Sequence, residues 1–240
     1  MSDEDISLLF VSETWITDIK NNITRSIRDL GYKIIHQPRN QVFKARGGGV
    51  AIIHHTKLNL TQVFIKHGGS FESVVAKFRD DIGEIICCAV VYRTGPVSDD
   101  FFSDFDDFIA SIFIKFRLIL ICGDLNIHLD QLTAKTTNKL NELVSSYGLT
   151  QLVKGTTHKH GHTLDVVIAS HKLLKDVYVN NNLTDVFRTC DHMPVLFSFN
   201  SASSNLASNE MKQITFRDFK GIDSTLLSAD FLNVFNEACS

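Results

Sequence analysis

The 240-residue sequence predicts an α+β domain in which two mixed sheets pack face to face with helices on the outside, a four-layer α/β/β/α arrangement. Three observations predict it. Short apolar runs of strand length interleave with amphipathic helical stretches along most of the chain. Several of those runs are separated by turns too short to hold a crossover helix, so some neighbours must pair antiparallel. With 44% hydrophobic residues, the chain is long enough for one sizeable core and too short for two large ones.

Residues 6–11 form an apolar run ending in Ser12-Glu13-Thr14-Trp15, a buried strand entering a loop. Ile16, Ile19, Ile23, Ile27 and Leu30 recur at steps of three and four before Gly31, the spacing of an amphipathic helix with a glycine stop. Gly47-Gly48-Gly49 breaks the chain ahead of a strand at 50–54. Strand-like runs follow at 74–78 and 85–92, separated by the turn Asp80-Asp81-Ile82-Gly83. Phe101, Phe102, Phe105, Phe108, Ile109, Ile112 and Phe113 fall on one helical face, a core stripe. Residues 118–122 are a fully apolar strand, 136–147 an amphipathic helix closed by Gly148, and 164–168 and 195–199 two further strands. From Asn200 the composition turns to serine, alanine and asparagine, a polar linker, and 222–238 fits one more helix. The segment 200–240 is therefore expected outside a domain spanning 1–199.

Charge and composition narrow the function. A net charge of −3 excludes a polycation that clings to nucleic acid along its whole surface, so any DNA contact must be local. Two patches qualify, Lys33, Arg39, Lys44 and Arg46 in one, Lys154 and Lys159 among histidines in the other, and each is equally a solvated face. No run approaches the roughly 18 apolar residues of a membrane-spanning helix, and the acidic start from Met1 to Asp5 is unlike a leader, so an intracellular chain with no membrane partner is expected. Among five cysteines, Cys87 and Cys88 are adjacent and Cys122 sits in an apolar run. Reduced, buried thiols fit better than disulfides or zinc ligands. The triple glycine lacks the Lys-Ser/Thr of a phosphate-binding loop, and no small-molecule cofactor is expected.

Carboxylates fall where strands end or begin. Glu13 and Asp124 follow apolar runs, whereas Asp165 and Asp191 precede them. In a sheet with antiparallel neighbours the finish of one strand and the start of the next share a rim, so all four acids can line one edge. Crowding like charges is unfavourable without a cation or donors, which suggests a divalent metal; the alternative is plain polar capping of strands. Asp124 and Asn126, two apart in Gly-Asp-Leu-Asn, project to one side in extended chain while Leu125 faces the other. Asp191-His192 sets an imidazole beside a carboxylate, and Asp165 can orient that imidazole. His128 reads as an exposed loop histidine, and the alternating His158, His160 and His162 read as a polar loop facing DNA, with no zinc assigned. The set fits phosphodiester hydrolysis, which needs a cation, a base for water and a donor to the nonbridging oxygens. Nucleophilic serine catalysis fits less well, for want of a Gly-x-Ser-x-Gly elbow.

The segments Val-Ser-Glu-Thr-Trp (11–15), Gly-Gly-Gly-Val-Ala-Ile (47–52), Val-Val-Tyr-Arg (90–93), Gly-Asp-Leu-Asn-Ile-His (123–128), Thr-His-Lys-His-Gly-His-Thr-Leu-Asp (157–165) and Cys-Asp-His (190–192) carry a resemblance. In that order they resemble the endonuclease/exonuclease/phosphatase superfamily, and more closely the apurinic-type endonuclease domains of non-LTR, LINE-like retrotransposons. The resemblance implies a DNase I-like sandwich and a DNA-nicking endonuclease using Mg2+ (or Mn2+). Carried over by position, Glu13 binds the metal with Asp191 assisting, Asp124 activates or orients water, and Asn126 bonds the phosphate region. His192, held by Asp165, contacts the scissile phosphate, Tyr92 donates to it, and Thr157 and Arg93 lie near DNA. The implied product is a nick with a free 3′-hydroxyl, a primer for a reverse transcriptase expected in the parent polyprotein, toward which Phe-Arg-Asp-Phe-Lys (216–220) points; nuclear action follows from the same resemblance.

Two departures stand out. The family pattern opens with a strand carrying an asparagine, whereas here the chain starts ten residues before Val11, so the expected sheet lacks its first strand and leaves a neighbour unpaired. Cys190 stands where serine usually precedes Asp-His. The alternative function is therefore a catalytically impaired remnant acting at most as a nucleic-acid-binding or interaction module.

Overall fold

A computed structural model of the chain describes residues 6–16, 22–39, 47–180, 190–200 and 212–216. In chain order the elements are β1 (Ile6–Ser12), α1 (Asn22–Asp29), β2 (Tyr32–Gln37), β3 (Val50–His55), β4 (Thr61–Val63), β5 (Glu72–Arg79), β6 (Ile85–Tyr92), α2 (Asp99–Phe113), β7 (Leu118–Asp124), α3 (Lys135–Ser146), β8 (Leu149–Gln151), β9 (Asp165–Ser170), β10 (Leu174–Val179), β11 (Val195–Phe199) and β12 (Lys212–Phe216). One six-stranded sheet runs β10-β11-β12-β1-β3-β2 and the other β4-β5-β6-β7-β9-β8. Each is mixed: β1 pairs parallel with β12, β6 pairs parallel with β7, and the remaining pairs are antiparallel.

Side-chain alternation along the central strands separates two cores. On β6, Cys87, Ala89 and Val91 face α2 and α3, whereas Ile86, Cys88, Val90 and Tyr92 face the other sheet. The same period of two puts Ile119 and Ile121 of β7 on the helix side, with Leu120 and Cys122 toward the opposing sheet. Leu8 and Phe10 of β1 and Val50 and Ile52 of β3 meet that inner face. Strands buried on both faces need apolar residues at every position, which is why these runs are continuous rather than alternating in the sequence. Helix α2 starts at Ser98, whose hydroxyl accepts from the Phe101 N–H at 3.2 Å, and buries its phenylalanine stripe under the second sheet. The layers are thus α/β/β/α, as expected.

Several expectations shift. Phe113, counted in the stripe, is 48% exposed because it closes the last turn, where the helix face rotates off the sheet. The helix expected from Ile16 is described from Asn22, with Ile16 preceding it in a loop. β2, β4, β8 and β10, absent from the sequence reading, are short or carry polar residues on a half-exposed face. The largest change concerns the segment placed outside the core. Lys212–Phe216 forms β12, inserted between β11 and β1, so the edge of β1 expected to stay unpaired is hydrogen-bonded to it. The helix expected at 222–238 lies outside the described residues, as do Lys44 and Arg46.

Cys87, Cys88 and Cys122 are buried free thiols, as composition suggested. No helix among the described residues is long and apolar enough to cross a membrane.

Candidate active site

Strand register sets four polar residues in a row across one end of the second sheet. Glu72 pairs with Tyr92, Tyr92 with Asp124, and Asp124 with Asp165. Strand spacing makes adjacent members about 4.8 Å apart at the backbone. Alternation turns Tyr92, Asp124 and Asp165 toward the opposing sheet, because Val90, Cys122 and Val167, two positions away, line the inter-sheet core.

Asp124 and Asp165 are 0% and 2% exposed, and buried carboxylates without water require donors. Asp165 Oδ2 lies 2.7 Å from His192 Nδ1, a buried pair in which the ring donates and the carboxylate accepts. That bond puts a proton on Nδ1 and orients the ring. Asp124 accepts from the Asn126 backbone N–H at 2.7 Å and from the Asn126 side-chain amide at 3.0 Å.

The Asp124–Asn126 convergence foreseen from extended alternation is real but arises differently. Asn126 has φ +51°, a left-handed conformation that asparagine tolerates, and the chain turns back on the Asp124 carboxylate. Arg93 staples this turn: its guanidinium donates to the carbonyls of Leu125 at 2.5 Å, Asn126 at 3.0 Å and Gly95 at 2.6 Å. Asn126 Nδ2 returns a bond to the Arg93 carbonyl at 2.6 Å. Gly123, at φ +135°, lets β7 approach β6 so closely that a Cβ would meet the Val91 carbonyl oxygen at 1.9 Å.

On the other sheet, Asp191 and His192 precede β11. His158 Nε2 is 3.3 Å from Asp191 Oδ2, and the His158 and His192 rings meet edge to face at 4.8 Å. Backbone bonds from Met193 N–H to the Thr157 carbonyl at 2.8 Å and from Lys159 N–H to the Asp191 carbonyl at 2.9 Å lock the two loops together. Burial and the neighbouring His192 lower the His158 pKa against the pull of Asp191. For Asp191 burial works upward, yet His192 and His158 hold its carboxyl below the ordinary value, so it is ionised.

Glu13 follows β1 on the same rim. Thr14 N–H donates to the Gly49 carbonyl at 3.1 Å, Trp15 N–H to the Gly48 carbonyl at 2.8 Å, and Glu13 itself sits at φ +55°. Behind this turn Thr14 Oγ1 is 2.8 Å from His36 Nε2, and burial lowers the His36 pKa to about 4. Glu72 crosses between the sheets, accepting from the Gly49 N–H at 2.6 Å and pairing with Arg39, whose guanidinium lies 5.7 Å from the Tyr92 ring centroid.

Of the expected site residues, then, the fold joins Asp124 to Asn126 and Asp165 to His192, and brings Asp191 beside His192 through His158. Glu13 shares the rim but belongs to neither group of potential metal ligands among the described residues. The two residues expected near DNA are both buried. Thr157 is 0% exposed, and its hydroxyl accepts from the Leu164 and Asp165 N–H groups at 3.0 and 3.2 Å, which orders the start of the Asp165 strand. Arg93 is 1% exposed and donates to three carbonyls. Sequence reasoning missed His158 and Glu72. Glu72 carried the same signal as the other acids, a carboxylate just ahead of the apolar run at 74–78, whereas nothing local marked His158 over its neighbours. The donor set suits a divalent cation: an ionised, part-exposed Asp191 stands beside the His158 and His192 imidazoles, one ligand atom of each within 4.8 Å of the others.

No family model and no curated protein matches the sequence. Solved structures do. The 3′ phosphatase NExo from Neisseria, bound to product DNA hairpin, superposes with TM-score 0.61 at 15% identity, over 81% of this chain and 89% of that one. The endonuclease domain of TRAS1, a telomere-specific non-LTR retrotransposon, gives TM-score 0.58 at 12% identity, over 82% and 100%. The Xenopus laevis APE2 catalytic domain gives 0.51 at 13%, over 88% and 85%. At such identities the likeness is one of fold, and the fold is DNase I-like.

Proposed function

We propose that this DNase I-like chain is a divalent-metal-dependent phosphodiesterase of the endonuclease/exonuclease/phosphatase superfamily, and specifically the DNA-nicking endonuclease of a non-LTR retrotransposon. One observation carries the reading: the buried His192–Asp165 pair stands one strand from the Asp124–Asn126 turn, at a rim that also bears Asp191 and Glu13. The six motifs, in order along one fold shared with nucleases, support it.

In this reading the Asp124 carboxylate orients water and takes its proton, while the Asn126 amide holds Asp124 and the phosphate region together. His192, oriented by Asp165, donates to a nonbridging phosphate oxygen, with Tyr92 as a further donor. Glu13 and Asp191 would hold Mg2+ (or Mn2+), which when bound neutralises charge developing on the phosphate. Water forms the new bond to phosphorus as the bond to the 3′ oxygen breaks; the leaving oxygen takes a proton from solvent, giving a 3′-hydroxyl and a 5′-phosphate. That hydroxyl is the primer for a reverse transcriptase encoded in the parent polyprotein, acting in the nucleus.

The test is nicking of supercoiled plasmid in Mg2+. Open circles are expected from the wild-type chain and from neither Asp124→Ala nor His192→Ala. Equal nicking by both variants would sink the proposal. Plasmid binding without nicking by the wild type would favour a non-catalytic nucleic-acid-binding module instead.

A further inference from the structure

Outside this site the fold gathers a second set of ligand-type side chains. His128 and Asp130 follow the Asp124–Asn126 turn, and His162 precedes Asp165 on the adjoining loop. One ligand atom from each lies within 4.8 Å of the others. The alternating histidines are thereby sorted: His158 turns to Asp191 and His192, while His162 turns to Asp130 and packs its ring 4.2 Å from that of His128.

Three features separate this cluster from a chance meeting of polar groups. His128 Nδ1 is shielded from water and has no hydrogen-bond partner, a costly state for a ring nitrogen that a ligand would relieve. His162 Nδ1 and Asp130 Oδ2 stand 3.3 Å apart. That exceeds the roughly 2.7–2.9 Å of a charge-assisted hydrogen bond, and it matches the edge of about 3.4 Å between ligand atoms in a tetrahedral shell with bonds near 2.1 Å. The scaffold is also fixed beforehand. Asp130 Oδ1 accepts from the Thr163 N–H at 2.9 Å, Leu129 N–H donates to the Thr163 carbonyl at 2.9 Å, and Thr137 Oγ1 holds the His128 carbonyl at 3.0 Å. These contacts leave Oδ2 as the oxygen turned to the imidazoles and brace it from behind.

We propose that His128, Asp130 and His162 form a zinc site, two imidazoles and one carboxylate with a water completing the tetrahedron, that clamps the Asp124–Asn126 loop to the loop leading into Asp165. Two imidazoles and a carboxylate select zinc over magnesium, which prefers six oxygens. The site goes beyond the hydrolase reading and does not depend on it.

The full chain, stripped with chelator, is titrated with Zn2+ against a chromophoric competitor, and its thermal unfolding is followed with and without the metal. Expected is one zinc per chain whose affinity falls at least about tenfold in His128→Ala and in His162→Ala, with the zinc-dependent rise in Tm lost in both. Circular dichroism confirms that each variant is folded, and His128→Gln and His162→Gln, which keep polar side chains, are the second pair should either alanine variant unfold. Failure of the wild-type chain to retain zinc overturns the site. So does zinc bound equally by the wild type and both variants, or zinc lost only in His158→Ala, which would assign the metal to the rim cluster.

Discussion

His192 Nδ1 and Asp165 Oδ2 lie 2.7 Å apart although the residues are 27 positions apart, Asp165 opening β9 of one sheet and His192 preceding β11 of the other. Because both side chains are almost wholly buried, the bond is dry and its geometry well defined. Asp165→Asn keeps the shape but can present an N–H to Nδ1 and select the other tautomer. The kcat of plasmid nicking should fall by about 10²–10⁴ with the unfolding midpoint little changed. A wild-type rate in this variant would remove Asp165 from the mechanism.

Glu13, which follows β1, is the residue proposed to hold the cation with Asp191. Glu13→Gln removes a charge and keeps the volume, so the Mg2+ concentration for half-maximal nicking should rise by about 10–100-fold. Rate against Mg2+ concentration measures it, and an unchanged curve would relocate the metal.

Gly123 is where backbone and site meet. An alanine there combines a left-handed φ with a Cβ at 1.9 Å from the Val91 carbonyl oxygen, prying β7 from β6. Gly123→Ala should cost about 3 kcal/mol or more, read as a lowered denaturant midpoint. Stability equal to wild type would show that the two strands are not in this register.

His36 makes stability depend on acid. Burial lowers its pKa to about 4 from 6.5, so its contribution is complete above 6.5 and lost as pH falls toward 4, because the unfolded chain binds the proton first. By pH 5 the loss should reach about 2 kcal/mol. Unfolding free energies from urea titrations at pH 7 and pH 5 should differ by that much more in the wild type than in His36→Gln. His36 bonds Thr14, beside the proposed metal ligand Glu13, so the same melt reports on the turn that carries it.

Ile214 stands inside β12, opposite Leu9 of β1. Proline at this position removes an N–H from a strand paired on both sides, so Ile214→Pro should destabilise the chain by about 2–3 kcal/mol, whereas Ile214→Val keeps the N–H and should cost less. A proline variant as stable as wild type in a denaturant melt would place β12 outside the sheet.

Much of the layering was legible because its causes are local. The run at 85–92 became β6 and 195–199 became β11 without change of bounds, and the phenylalanine period put α2 on the sheet. Burial on both faces leaves a continuous apolar run that can be read directly. β10, with its exposed Lys175-Asp176 stretch, carries no such run, and β12 lies between a stretch read as linker and one read as helix.

The chain's own text determined which acids, amide and imidazole stand at strand ends, and so the chemistry they could share. Tertiary structure alone decided the rest: that register aligns Tyr92, Asp124 and Asp165, that Arg93 is spent on carbonyls, that Thr157 is sealed, and that His158 and His162 serve different clusters. The physical reason is range. Propensity and periodicity act over a few residues, whereas pairing partners and burial are set by contacts between segments far apart in the chain.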